Sequence, residues 1–402
     1  MQAYKYLIIG GGMTAEAAVQ GIRDVDPSGS IGIISKETQP PYKRPPLTKG
    51  LWKGEALESI WLKTGNLNVQ IHQNRTVLKL DPLNRIAVDD QGEEYSYQKL
   101  LIATGGTPRR LKNAPEDVIY FRNFDDYERV KALAGKVNKF IIIGGGFIGS
   151  EIAAALRMKK KQVTMIFPEL GIGAALFPAE LSEYINTYYR KKGIEVLSSE
   201  MVASVTKEAG GYVVKTLTGK IISGDAVIAG LGVIPDVTLA QAAGLEVTNG
   251  IVVDEYLRTR REDIFAAGDV ANFFNSSLGK HIRVEHEDNA LTMGKSAGQN
   301  MAGKKVPYHH LPFFYSDLFD LGYEAVGETD SRLETVSDWK KQFKEGVIYY
   351  LQDRRVRGVL LWNIFEQIPH ARALIAEKGP FSAASLKNKL PYEEKVEEAT
   401  VE

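Results

Sequence analysis

Two glycine-rich segments carry the spacing of a pyrophosphate grip. The first is Gly10-x-Gly12-x-x-Ala15 and the second Gly144-x-Gly146-x-x-Gly149. In such a segment the first glycine permits a tight turn and the second lets the backbone approach a pyrophosphate. A small third residue lets helix and strand pack closely. The N-terminus of the following helix then faces the phosphates with a positive partial charge. An acid follows each segment where a carboxylate reaches a ribose hydroxyl: Glu37, 22 residues after Ala15, and Glu169, 20 residues after Gly149. No Arg or Lys occurs between Glu169 and Glu180, so a 2′-phosphate there would meet negative charge and no partner. Two further segments, Leu101 to Gly106 and Ile264 to Asp269, end an apolar strand in a glycine turn. Asp269 stands where a carboxylate can hold a polyol chain, although either segment also reads as a plain β-turn.

These residues need elements to hold them. Tyr4 to Ile9, Met13 to Arg23 and Ile31 to Ile34 read as strand, helix, strand. The order recurs at Phe140 to Ile143, Phe147 to Lys159 and Val163 to Phe167, about 134 residues on. This is a duplicated βαβ unit and predicts two dinucleotide-binding domains. Alternating segments follow each unit (Arg75 to Leu80, Arg85 to Val88 and Tyr95 to Ile102, then Val202 to Ala229) and suggest inserted antiparallel strands. From Leu311 onward, aromatic strands (Gly346 to Gln352, Val356 to Trp362) precede an amphipathic stretch, Ile368 to Glu377, which reads as a third, α+β domain. The fold class is α/β: two Rossmann-like domains plus a C-terminal α+β domain. The expected division is 1–112 and 235–306 for the first domain, 113–234 for the second and 307–402 for the third. The acidic tail after Pro391 is expected to be disordered.

Composition narrows the chemistry. The 402 residues include 50 Lys+Arg and 50 Asp+Glu, so no net basic field attracts nucleic acid or an anionic membrane. There is no cysteine. That removes disulfides, thiolate metal sites, catalytic thiols and redox-active dithiols. Redox chemistry here requires a bound organic cofactor or a non-thiolate metal site. His309 and His310 are adjacent but lack ligand partners in sequence, so no metal is expected. No apolar run approaches the ~20 residues of a membrane span. The N-terminus runs straight into a strand, with no room for a targeting segment, and a soluble cytoplasmic protein is the expectation.

Thr259 followed by Ile264 to Asp269 resembles the second FAD fingerprint of flavoproteins with the glutathione-reductase-like fold. The loop Pro41-Tyr42-x-Arg44-Pro45-Pro46-Leu47-Thr48-Lys49 resembles the branch that holds ferredoxin reductases, monodehydroascorbate reductases and apoptosis-inducing factor. Three later stretches are most similar to the apoptosis-inducing factor group: Val284-Glu285-His286-x-Asp288-x-Ala290, Tyr315 to Gly327, and Gly346 to Phe365. The group's Trp before Ser-Asp-Leu is Tyr315 here, and a Lys near the NAD adenosine corresponds to Ala175.

The resemblance implies FAD and NAD as cofactors. Gly10, Gly12, Ala15, Glu37, Arg44, Lys49, Val77, Arg122, Asp269, Glu285 and His286 would surround FAD, with Tyr315 near its ring system. Gly145, Phe147, Ile148, Glu151, Glu169, Gly232, Glu324 and Asn363 would line the NAD site. Lys49, Glu151 and His286 are the catalytic candidates, with Lys49 and Glu151 paired beside flavin N5. Without the resemblance, Arg44 and Lys49 read as surface cations, His286 as a structural hydrogen-bonder, and Tyr315 and Trp362 as core aromatics. The implied activity is hydride transfer from NADH to FAD, then electron transfer to an external acceptor: ferredoxin or rubredoxin, a quinone, or a small oxidant. The alternative is an NADH sensor of the apoptosis-inducing factor type, in which slow turnover accompanies NADH-promoted dimerisation or partner binding.

Overall fold

The strand Gln2–Ile9 is buried along its second half, and the chain turns at Gly10 directly into the helix Met13–Arg23. In a computed structural model, which describes residues 1–391, this strand lies at the centre of a mostly parallel sheet. Ile31–Ile34 flanks it on one side and Glu94–Ile102 on the other. Gln70–His72 extends one edge, and Ile264–Ala266 pairs in parallel with Leu100 to Ile102. The same strand Glu94–Ile102 also pairs antiparallel with Ile86–Asp89, which pairs with Val77–Asp81. The expected acidic tail lies outside the described residues.

A second sheet is parallel throughout. Its order is Glu195–Leu197, Gln162–Ile166, Lys139–Ile143, Ala226–Ala229 and Ile119–Tyr120. Its central strands are apolar and buried from Phe140 to Ile143 and along Ala226–Ala229, because both faces are covered there. The expected antiparallel run from Val202 to Ala229 divides here. Val202–Glu208, Gly211–Thr216 and Ile221–Gly224 form an antiparallel sheet, whereas Ala226–Ala229, buried at all four positions, joins the parallel one.

The chain passes from the first sheet toward the second along Gly106–Pro108 and returns along Val233–Pro235. These two stretches pair with each other antiparallel. Thr104 Oγ1 donates to the Asp236 carbonyl at 2.7 Å. Past residue 306, five antiparallel strands form a last sheet, in the order Phe313–Leu318, Leu321–Gly327, Arg355–Trp362, Glu345–Gln352 and Glu334–Lys341. The helix Ile368–Ala376 buries Ile368, Ala371, Leu374 and Ile375 in a cluster with Val326, Val359 and Leu361 of that sheet.

One contact sets the geometry of the site. The helix Glu287–Met301 crosses Met13–Arg23 through small residues. A Cβ on Gly294 would lie 2.5 Å from the Thr14 carbonyl oxygen, and one on Gly298 only 2.0 Å from that of Ala18. Glycine is what lets the two backbones come this close. The crossing brings the N-terminal ends of both helices, at Gly12 and His286, to one cavity. Among the described residues no helix is long and apolar enough to cross a membrane.

Candidate functional site

The cavity has a volume of about 1120 Å³. That exceeds the ~300–1,000 Å³ typical for drug-sized ligands and suits a dinucleotide. One end is the turn Gly10 to Gly12. Gly10 has φ +118°, and a Cβ there would fall 2.1 Å from the Ala103 carbonyl oxygen. Gly12 starts the helix with no side-chain cap, and within 4 Å of its missing Cβ stands only an Arg44 guanidinium nitrogen, at 3.8 Å. Uncapped N–H groups of the first helical turn therefore face open space beside a cation, the donor set a pyrophosphate requires.

Glu37 accepts from Tyr42 Oη at 2.6 Å and from Arg44. Burial works to raise the Glu37 carboxyl, but Arg44, Tyr42 and the more distant Arg122 hold it below the usual range. It stays an ionised acceptor, as ribose binding requires. Arg122 donates to Asp269 Oδ2 at 2.6 Å, and Arg283 donates to the Asp269 carbonyl at 3.0 Å, so the acid of the second fingerprint is held from both sides. Gly268, at φ +77°, places its N–H on Met293 Sδ at 3.3 Å.

At the other end the second parallel sheet contributes. Gly146 begins the helix Phe147–Met158 uncapped, and the space a Cβ would occupy there is open for 4 Å around. A Cβ on Gly149 would lie 2.1 Å from the Gly144 carbonyl oxygen, which accounts for the glycine in the third slot. One turn into this helix Glu151 is 3% exposed, accepts two hydrogen bonds and forms an ion pair. Lys49 Nζ lies 2.8 Å from Oε1, Ser316 Oγ donates to Oε1 at 2.6 Å, and Thr48 Oγ1 donates to Oε2 at 2.5 Å. A buried carboxylate is tolerated when paired and fully hydrogen-bonded in this way. Lys49 Nζ also sits 5.3 Å from the ring centre of Tyr315. Tyr315 Oη donates to Glu287 at 3.1 Å.

Three rings close this end. His286 and Phe314 stack, and Phe147 meets both edge-on at 5.7 and 5.5 Å between centroids. Burial lowers the His286 imidazole to about 4, with Lys49 adding to the effect and Asp269 and Asp288 opposing it.

Of the residues expected from sequence, Gly10, Gly12, Glu37, Arg44, Lys49, Val77, Arg122, Phe147, Ile148, Glu151, Gly232, Asp269, Glu285, His286 and Tyr315 line the cavity. Ala15 is buried in the first turn of the first helix, as its packing role requires. Gly145, Glu169, Glu324 and Asn363 lie outside the cavity wall. Gly145 packs on the Phe167 ring, and Glu169 is exposed at the end of the second parallel strand. Glu324 pairs in register with Tyr315, and its Oε2 is buried with no hydrogen-bond partner. Asn363 is used up in a turn, accepting from Gly322 N at 2.6 Å and donating to the Lys344 carbonyl at 2.7 Å. His310 is held by Asp288 and Arg372. Among the described residues no group of three or more His, Asp or Glu side chains is placed to hold a metal ion.

Sequence reasoning assigned no role to Thr48 or Phe314, and named Ser316 only as the start of a segment, Ser316 to Gly322, expected to change on reduction. Thr48 stands within the loop Pro41 to Lys49, directly before the lysine. Phe314 and Ser316 flank Tyr315, but a phenylalanine and a serine in a strand carry no signal of their own.

Residues 4–294 match the family described as pyridine nucleotide-disulphide oxidoreductase. Residues 297–342 and 337–377 match the apoptosis-inducing factor, mitochondrion-associated, C-terminal family. The chain is 34% identical to apoptosis-inducing factor 1, mitochondrial, of Dictyostelium discoideum, covering 94% of this chain and 79% of that protein. It is also 34% identical to monodehydroascorbate reductase 3 of Arabidopsis thaliana, covering 94% of each. Identity to the 5,5'-dehydrodivanillate O-demethylase ferredoxin reductase subunit of a Sphingobium strain is 31%, again over 94% of each. Among solved structures, the covalent putidaredoxin reductase–putidaredoxin complex is similar at a TM-score of 0.87, with 27% identity over 94% of both chains.

Proposed function

The chain belongs to the pyridine nucleotide-disulphide oxidoreductase family and is an FAD-dependent NAD(P)H oxidoreductase that delivers electrons to an external acceptor; on that premise we propose how its residues divide the work. Residues 1–112 and 235–306 form the FAD unit, 113–234 the NAD unit, and the C-terminal unit begins at 307. Within the FAD unit Gly10, Gly12 and the first helix take the pyrophosphate, and Arg44 and Arg122 supply cations. Glu37 takes the adenosine ribose, and Asp269 the polyol chain. Bound FAD supplies the capacity to accept a hydride from the nicotinamide and to release its electrons in one- or two-electron steps.

The chain's own groups align the partners and set the local charge. Gly146 and the helix Phe147–Met158 turn their free N–H groups toward the NADH pyrophosphate. Glu169 favours a 2′-hydroxyl over a 2′-phosphate, so NADH is the preferred donor. Phe147, His286 and Phe314 wall the ring-binding end. Lys49 is aimed there by Glu151 at 2.8 Å. With no cysteine, no dithiol within the chain can store the electrons. They leave for a ferredoxin-type protein, a quinone or a small oxidant.

The buried contact between Lys49 and Glu151 carries this reading. It joins the FAD-side loop to the NAD-side helix at the place where the two rings would meet. A sensor role is a second reading, favoured by the C-terminal family match over the unit that holds Tyr315. Anaerobic reduction with NADH followed by a panel of acceptors tests both. Rapid reoxidation that saturates with one acceptor supports the reductase. Slow reoxidation by every acceptor supports the sensor. Failure of NADH to bleach the flavin overturns both.

A further inference from the structure

Ser316 and Tyr315 are neighbours on the strand Phe313–Leu318, and their side chains leave it on opposite sides. Each nevertheless touches one member of the Lys49–Glu151 pair. The Tyr315 ring lies under Lys49 Nζ at 5.3 Å, and Ser316 Oγ donates to Glu151 Oε1 at 2.6 Å. The C-terminal sheet thus contacts both the cation and the anion through two consecutive residues.

The carboxylate of Glu151 is fixed in rotation by donors on both oxygens. Thr48 holds Oε2, while Lys49 and Ser316 share Oε1. Thr48 and Lys49 are consecutive residues of one loop. Among the described residues Ser316 is the one donor to that carboxylate from elsewhere. It is 1% exposed, so water cannot replace its hydroxyl without local opening. Without it, Oε1 keeps only Lys49, and the pair can pivot about the Thr48–Lys49 loop.

We infer that Ser316 is a positioning residue for the hydride-transfer step, holding Glu151 so that Lys49 points at the reducible end of the flavin. The inference rests on the reading that the Lys49–Glu151 pair flanks that ring. It makes the strand of the C-terminal unit part of the redox site: a shift of Phe313–Leu318 moves Ser316 and Tyr315 together and re-aims both charges.

The test uses FAD-loaded protein and anaerobic stopped-flow reduction by NADH. Ser316→Ala should slow hydride transfer about tenfold while leaving the NADH dissociation constant unchanged, and should shift the flavin midpoint potential. Ser316→Thr retains the hydroxyl and should recover most of the rate. In a Glu151→Ala background, Ser316→Ala should add no further slowing, because its acceptor is gone. A wild-type rate in Ser316→Ala overturns the inference. So does equal slowing in the Ala and Thr variants, or a full additional loss in the Glu151→Ala background. If Glu151→Ala itself reduces at the wild-type rate, the placement of the pair fails and this inference falls with it. If Glu151→Ala is slow and Ser316→Ala is not, only the role of Ser316 fails.

Discussion

His286 lies flat against Phe314, with ring centroids 4.2 Å apart and planes 16° from parallel. A neutral imidazole suits this position, and burial keeps it neutral down to about pH 4. In an unfolded chain the same group takes up its proton near 6.5. The stability tied to this site is therefore intact above about pH 6.5 and declines as pH falls toward 4, because the unfolded chain binds the extra proton. His286→Gln should lose less stability than wild type between pH 7 and pH 5, measured as the shift in urea midpoint. Equal shifts would show that His286 titrates normally in the folded protein.

Lys49 and Glu151 should behave as one unit. Each alanine variant is expected to slow reduction by NADH, and the double variant should be no slower than the worse single one. Removing one member of a buried pair strands the other charge, so each single variant should also melt several degrees lower. Additive rate effects in the full cycle would mean that the two act separately.

Selectivity for NADH should be modest. Glu169 is exposed, so a 2′-phosphate meets it in a wet setting where a like-charge contact costs about 1–2 kcal/mol. That corresponds to roughly tenfold in kcat/KM. Glu169→Ala with a basic residue at Leu170 should bring the two nucleotides close to parity. Equal efficiency in the unaltered enzyme would remove Glu169 from the specificity argument.

Gly298→Ala should destabilise by about 1–3 kcal/mol, since the new methyl would press on the Ala18 carbonyl across the helix crossing. Gly65, with open space at its Cβ position, provides the comparison. Its alanine variant should stay within about 0.5 kcal/mol of wild type. Thermal melts of the two variants decide the matter. A neutral Gly298→Ala would show that the helices can separate freely.

Anaerobic titration with NADH should raise a broad long-wavelength absorbance, because Phe147 can hold the oxidised nicotinamide against the flavin and shield it from oxygen. Light scattering on the same sample reads any change in mass. If no band forms, and NADH-reduced and dithionite-reduced flavin reoxidise in air at the same rate, the sensor reading loses its support.

The glycine turns are legible in the sequence because few side chains survive at such positions. Gly10, Gly144 and Gly149 each have a carbonyl oxygen where a Cβ would go, so spacing alone reveals them. Glu151 is harder, since an acid one turn into a helix is usually solvated. Its place on the helix after the second glycine segment and the resemblance mark it, and the structure buries it. Ser316 is beyond reach: its importance comes from a partner 165 positions away in the chain. Glu324 and Asn363 carry no local signal either. The resemblance alone suggests them for the NAD site; Glu324 pairs with Tyr315 along the C-terminal sheet, Asn363 bonds Gly322 and Lys344, and both lie outside the wall of this cavity.

Gly106–Pro108 and Val233–Pro235 lie side by side, so everything between them leaves and rejoins the host at one spot. A gene segment for residues 109–232 can therefore be exchanged between relatives without re-threading the remainder. The graft must still match the host at its far side. There Ser331 donates to the Ala174 carbonyl at 2.6 Å and Tyr350 to that of Leu176 at 2.7 Å. Chimeras that carry residues 109–232 together with the loop around Ser331 and the strand of Tyr350 should recombine nucleotide preference with acceptor choice, whereas those that split these partners should fail at assembly.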